Sequence, residues 1–167
     1  MSSGGSASFI VRDGVTAHVQ ALSRFVVHGD KGAMREITDT ARQEIFNRTA
    51  TGKDINDRPF TPYAKNTLKK PEYRGKRVPD LDLSGRMLES MRKTVLDGFH
   101  ARLHFDGIHP GGKKPISNSM LARIHQYGHG TQPERAFFGL TDQQRERVKA
   151  HLHHVIYDRA AKIWRGK

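Results

Sequence analysis

At 167 residues and a net charge of +12, from 29 Lys and Arg against 17 Asp and Glu, the chain is long enough for one domain with a real core. Its charge favours anionic partners: nucleic acid, an anionic membrane surface or an acidic protein face. The absence of cysteine excludes disulfides and thiolate metal sites, and no apolar run approaches the roughly 18 residues of a membrane-spanning helix. An apolar fraction of 35 % is low for a globular chain, which points to a modest core with long polar segments or to a protomer completed by neighbours.

Met1 to Ser6 is a polar, glycine-containing start without the apolar stretch of a signal peptide, so residues 1–7 are expected to be a flexible lead. Phe9-Ile10-Val11 before Asp13-Gly14 predicts a short strand and turn. Thr16 is the expected N-cap of a helix to about Val27 that buries Val19, Leu22 and Val26. Gly29 suits its C-cap, and Asp30 the N-cap of a second helix to about Arg48 with Met34, Ile37, Ala41 and Ile45 on one stripe, widened by Phe46.

Prolines at 59, 62, 71 and 79 then exclude long regular elements, so residues 49–80 are expected to be a long mobile loop. Lys65, Lys69, Lys70, Arg74, Lys76 and Arg77 make it strongly basic and are candidate contacts for DNA or an assembly partner. Ser84 can cap a short helix that buries Met87, Leu88 and Met91. Thr94 to Leu96, the turn Asp97-Gly98 and the alternating run Phe99 to Phe105 predict a β-hairpin with Phe99, Ala101, Leu103 and Phe105 on its buried face. A second mobile loop is expected over 107–118, then a short helix capped by Asn118 or Ser119 and carrying Met120, Leu121 and Ile124.

The stretch Ala122 to Thr141 is the one around which the rest is organised. Gly128, Gly130 and Pro133 predict a turn after Gln126-Tyr127, and Ala136 to Leu140 a short strand that docks the last helix on the core. Thr141, with Gln144 three residues on, has the spacing of a capping box for that helix. Val148, Leu152, Val155, Ile156 and Ile163 line one side of it, and Arg145, Arg147, Lys149, His151, His153 and His154 lie elsewhere. The expected fold class is therefore α+β: a small antiparallel β-sheet packed with N-terminal helices and a long C-terminal helix, all in one domain over 8–167.

Catalytic, cofactor and metal sites are not expected. His125 and His129 are separated by a glycine, with no glutamate placed as a hydrolytic zinc motif requires. His100 and His104 on one strand would lie about 13 Å apart, too far to share a metal. No nucleophile elbow or phosphate loop occurs, and Asp54, Asp57, Asp80 and Asp82 have the placement of turn formers.

Three segments carry a resemblance. His125-Gln126-Tyr127-Gly128, a loop, and Pro133-Glu134-Arg135-Ala136-Phe137-Phe138-Gly139-Leu140-Thr141 are similar in order and spacing to the hallmark of the virion-morphogenesis and tail-completion proteins of Mu-like and related tailed phages. Ala136 stands where that family has a second proline. Phe60-Thr61-Pro62-Tyr63 takes the place of its Trp-x-Pro-Leu segment, and Leu81 to Ser90 resembles its Leu-x-x-Ser-Gly-x-Leu-x-x-Ser stretch. The resemblance implies a structural protein of the virion, assembled in the host cytoplasm. It would complete the tail and support head–tail joining at the neck or tail end, without an enzymatic activity. Its partners would be itself, in a ring with a hexamer expected, and other neck or tail proteins, with non-specific contact to genomic DNA and none to membrane. Candidate interface or motif residues are Phe60, Tyr63, His125, Gln126, Tyr127, Gly128, Arg135, Phe137, Phe138 and Gly139, with the aromatics as anchors and Arg135 as a clamp, either between protomers or inside one. The alternative is a basic nucleic-acid-binding protein that uses residues 65–77 and the C-terminal helix.

Overall fold

The computed structural model describes residues 14–69, 79, 81, 86–109 and 115–165. The strand expected at Phe9 to Val11, the cap Ser84, and Lys70, Arg74, Lys76 and Arg77 lie outside them. Within them run α1 (Gly14–His28), α2 (Lys31–Ala50), the short α3 (Lys65–Leu68) and α4 (Arg86–Glu89), the hairpin strands β1 (Met91–Val95) and β2 (Ala101–Phe105), the two-residue strands β3 (Ile108–His109) and β4 (Ile116–Ser117), α5 (Asn118–Tyr127) and α6 (Asp142–Trp164). The fold is α+β, as expected, with two separate antiparallel two-stranded sheets. No helix among the described residues is long and apolar enough to cross a membrane.

The corner between α1 and α2 is set by two adjacent residues. Gly29 adopts φ +65° and donates to the Phe25 carbonyl at 2.9 Å, ending α1. Asp30 then caps α2, its carboxylate accepting from the Ala33 amide at 2.8 Å. Thr16 lies inside α1 rather than at its cap. Val19 and Val26, expected to be buried, are exposed, and Ala21, Leu22 and Phe25 are half-buried instead. Periodicity marks an apolar side of α1, but packing against α6 turns its Ala21, Leu22 and Phe25 edge inward and leaves Val19 and Val26 outside.

Helices α2 and α6 run antiparallel. Arg147 near the start of α6 pairs with Glu44 towards the end of α2, while Arg159 reaches Asp30 at 2.9 Å at the opposite end. Between these pairs Ala33, Ile37 and Val155 form a buried cluster with Val148 and Leu152 against it. The capping box at Thr141 and Gln144 is formed as the spacing predicts.

The hairpin pairs Met91 with Phe105 and Val95 with Ala101. Its connection spans 96–100, because the Asp97 carboxylate accepts from the Phe99 and His100 amides at 2.7 and 2.8 Å and holds a wider turn than a two-residue one. Phe99 and His100 therefore leave the strand, and Phe99 is exposed rather than part of the buried face. Asp30 donates its amide to the Gly98 carbonyl at 3.1 Å, docking this turn on the helix corner. The ends of the second expected loop pair as β3 and β4. Ser117, not Asn118 or Ser119, caps α5 by accepting from the Met120 amide at 3.1 Å, while Asn118 is buried and donates to the Asp106 carbonyl at 2.7 Å.

A Cβ on Gly29 would meet the Gly98 carbonyl oxygen at 2.3 Å in a left-handed conformation. Gly29→Ala is expected to lower stability on the order of 3 kcal/mol. Gly130→Ala, also at positive φ but with nothing within 4 Å, is expected to cost about 1 kcal/mol. Urea denaturation of both variants checks the contrast.

Candidate functional site

The three segments that carry the sequence resemblance meet in one place. Phe60 from the first, Leu81, Met87 and Leu88 from the second, and Ala122 and Phe137 from the third form a single buried cluster, with Phe46, Phe105, Leu121 and Phe138 packed against it. The rings of Phe137 and Phe138 stand 5.8 and 5.2 Å from that of Phe105 on β2, in tilted arrangements. The aromatic pair thus joins the hairpin to the approach of α6.

Phe60 reaches this cluster through a folded excursion after α2. Gly52 turns at φ +76°, and its carbonyl accepts from the Phe60 amide at 2.7 Å. The Asp54 carboxylate accepts from the Asn56 and Arg58 amides, both at 2.8 Å, and Ile55 donates to the Ala136 carbonyl at 2.8 Å. These bonds hold the 51–60 part of the expected loop against the segment before α6.

That segment, Ala136 to Leu140, is not a strand. Side chains take the place of a sheet partner. Gln126 Oε1 accepts from the Phe137 and Phe138 amides at 3.1 and 2.8 Å. The guanidinium of Arg48 donates to the Phe137 carbonyl, to the Gly139 carbonyl at 2.8 Å and to Gln144 Oε1. Gln144 in turn donates to the Glu44 carbonyl at 2.8 Å, which ties the start of α6 to α2. Arg48 is buried, and burial lowers its pKa although Asp54, Asp57 and Glu44 favour its charge. Sequence reasoning missed this residue. Its signal was position: three residues after Ile45, Arg48 continues the apolar stripe of α2, where a cation must bury its fork among acceptors.

Arg135 is the second clamp. It is 3 % exposed and donates to the Thr61 carbonyl at 2.8 Å and the Pro62 carbonyl at 3.1 Å, with its guanidinium carbon 5.1 Å from the centre of the Tyr63 ring. Its amide donates to the His125 carbonyl at 2.7 Å. Helix α5 continues through His125, Gln126 and Tyr127, and the turn expected after them opens at its C-cap, Gly128, at φ +70°.

The candidate interface residues accordingly divide. Phe60, Arg135 and Phe137 are buried inside the protomer, so of the two places open to them they take the inner one and shape the fold from within. Tyr63, His125, Gln126, Gly128, Phe138 and Gly139 are half-buried around them, and Tyr127 alone projects, at 72 % exposed. Lys65 and Lys69 are exposed. On α6, Arg145 pairs with Asp142, Arg147 with Glu44 and Lys149 with Glu146, which neutralises much of its cationic face. Among the described residues no group of three or more His, Asp or Glu side chains is placed to hold a metal ion.

Arg48→Met leaves the Phe137 and Gly139 carbonyls without this donor and Gln144 Oε1 with the Thr141 amide alone, and is expected to cost about 3–5 kcal/mol. Arg48→Lys should recover little, since one ammonium cannot span the fork. Denaturation midpoints test both. The His125 pKa is lowered from 6.5 to about 4 by burial, with Arg135 and then His109 adding to the effect. The unfolded chain takes up this proton below about pH 6.5 and the folded chain does not, so the stabilisation is complete above that pH and is lost as pH falls towards 4. Between pH 7 and pH 5 the loss is on the order of 2 kcal/mol. It is expected as a drop in the urea midpoint that His125→Gln flattens. No family model, no curated protein and no solved structure matches the chain.

Proposed function

We propose that this chain is a structural assembly protein of a tailed phage or prophage, acting at the neck or tail end to complete the tail and support head–tail joining. One observation carries the reading. The three separate segments that resemble the tail-completion family supply every residue of one core cluster, Phe60, Leu81, Met87, Leu88, Ala122 and Phe137. Segments spread from residue 58 to 141 have reason to keep a joint pattern when they close one fold. The work of such a protein lies in its surfaces: a rigid protomer held by Arg48, Arg135 and Gln126 presents outward faces to copies of itself and to virion neighbours. A ring suits this role, since head-to-tail contacts between identical subunits close on themselves.

A second reading keeps one observation of its own. Lys65 and Lys69 are exposed and have no ion-pair partner among the described residues, so they are available to phosphates. They would serve a sequence-blind contact with the genome inside a ring as well as they would serve an independent nucleic-acid-binding protein.

Deleting the gene from its phage is expected to give non-infectious particles with incomplete or unjoined tails, seen by electron microscopy and restored by the protein in trans. Normal, infectious particles would remove the assembly reading. A salt titration of duplex DNA binding separates the second. Each phosphate contact made by a lysine contributes about 0.9 to the fall of log K with log salt, and Lys65→Ala with Lys69→Ala should lower that slope by about 2.

A further inference from the structure

The hairpin carries an exposed apolar tip at one end and an apolar hollow at the other. At the tip, the backbone contact between Gly29 and Gly98 brings the end of α1, with Val26 and Val27, beside the turn that bears Leu96 and Phe99. All four side chains are more than half exposed. The pair Val95 and Ala101 marks this end of the strands, and the pair Met91 and Phe105 the other, about 13 Å away at the rise of a strand. There, against α5, opens a hollow of about 260 Å³ lined by Phe105, Ala122, Gln126, Tyr127 and Phe138, with Arg123 at its side. It is smaller than the roughly 300 Å³ at which sites for whole drug-sized ligands begin, and it suits a single side chain. Tyr127 projects as a wall, and a second hollow lined by Met120 and Ile124 lies on its other side.

We propose that these two ends are the halves of one contact: Phe99 at the hairpin tip of one copy seats in the Phe105–Tyr127–Phe138 hollow of the next. The contact rests on the assembly reading above and names the surfaces through which copies would join. Two different patches at opposite ends of one rigid element make a head-to-tail interface, the kind that closes into rings. The charges agree as well. Asp97 is an exposed acid at the tip, its carboxylate shared with the His100 ring and the turn amides, and Arg123 is an exposed base at the hollow with no ion-pair partner among the described residues. Copies that each carry a net charge of +12 repel one another at large, so a self-contact has to be apolar with a local match of sign. Helix α1 points the same way. It leaves Val19 exposed as well as Val26 and Val27 beside the tip, and an apolar helix face of this kind is normally covered.

The chain has no cysteine, so introduced thiols report contacts without background. Phe99→Cys and Tyr127→Cys proteins are made separately, mixed and oxidised. The mixture is expected to give the disulfide-linked pair of the two variants as its main cross-linked product, and either variant alone roughly tenfold less. Phe99→Ser, in an exposed turn, is expected to keep the wild-type unfolding midpoint while weakening self-association roughly tenfold or more in sedimentation. A wild-type chain that forms a defined oligomer, with no more cross-linking in the mixture than in the separate variants, overturns this contact and leaves the assembly reading standing. A chain that remains monomeric at high concentration overturns the contact, and the particle phenotype of the deletion then judges the assembly reading separately.

Discussion

A single buried cation decides how the second half of this chain sits on the first. Arg48, on the inward stripe of α2, donates to the carbonyls of Phe137 and Gly139 and to the side chain of Gln144. The segment it holds has no strand beside it, yet its backbone groups still require partners once they leave water. Gln126 serves the amides and Arg48 the carbonyls, so two side chains replace a ladder of main-chain bonds. Arg suits this position because its fork offers several fixed donors and keeps its charge under desolvation. With the segment fixed, Phe137 and Phe138 meet Phe105, α6 starts at its capping box, and the antiparallel packing of α2 against α6 follows.

This arrangement changes what the conspicuous sequence pattern means. Arg135 and Phe137 look from their spacing like recognition residues, and both are spent inside the protomer. Arg135 fastens the Thr61-Pro62 turn, and Phe137 fills the space between the hairpin, α4 and α5. In this chain the pattern serves to close the fold. What stays outside is the side chain of Tyr127 at the end of α5, the hairpin tip and the outer face of α1.

The electrostatics separate the surface from the interior in the same way. The chain is strongly basic, but the cations along α6 are largely matched by Glu44, Glu146 and Asp142, and Arg159 is taken by Asp30 at the helix corner. Exposed pairs of this sort contribute little to stability. Their effect is to leave the unmatched positive charge elsewhere, Lys65 and Lys69 among the described residues, where an anionic neighbour would meet it.

What the sequence alone determined were the features whose cause is local. Gly29 and Asp30 end one helix and begin the next through their own backbone freedom and carboxylate; Thr141 and Gln144 form a box within one turn; and the alternation from Ala101 to Phe105 specifies a strand. Their physics is complete within a few residues. Tertiary structure decided whatever depends on a choice among equals. Which edge of the apolar side of α1 turns inward is set by α6, and whether 136–140 pairs as a strand or hangs from side chains is set by Arg48, some ninety residues earlier in the chain. The same holds for Arg135, whose partners at Thr61 and Pro62 no local pattern could supply. Burial is a property of the assembled surroundings, and a polar side chain shows which acceptors it will meet only when distant segments have closed around it.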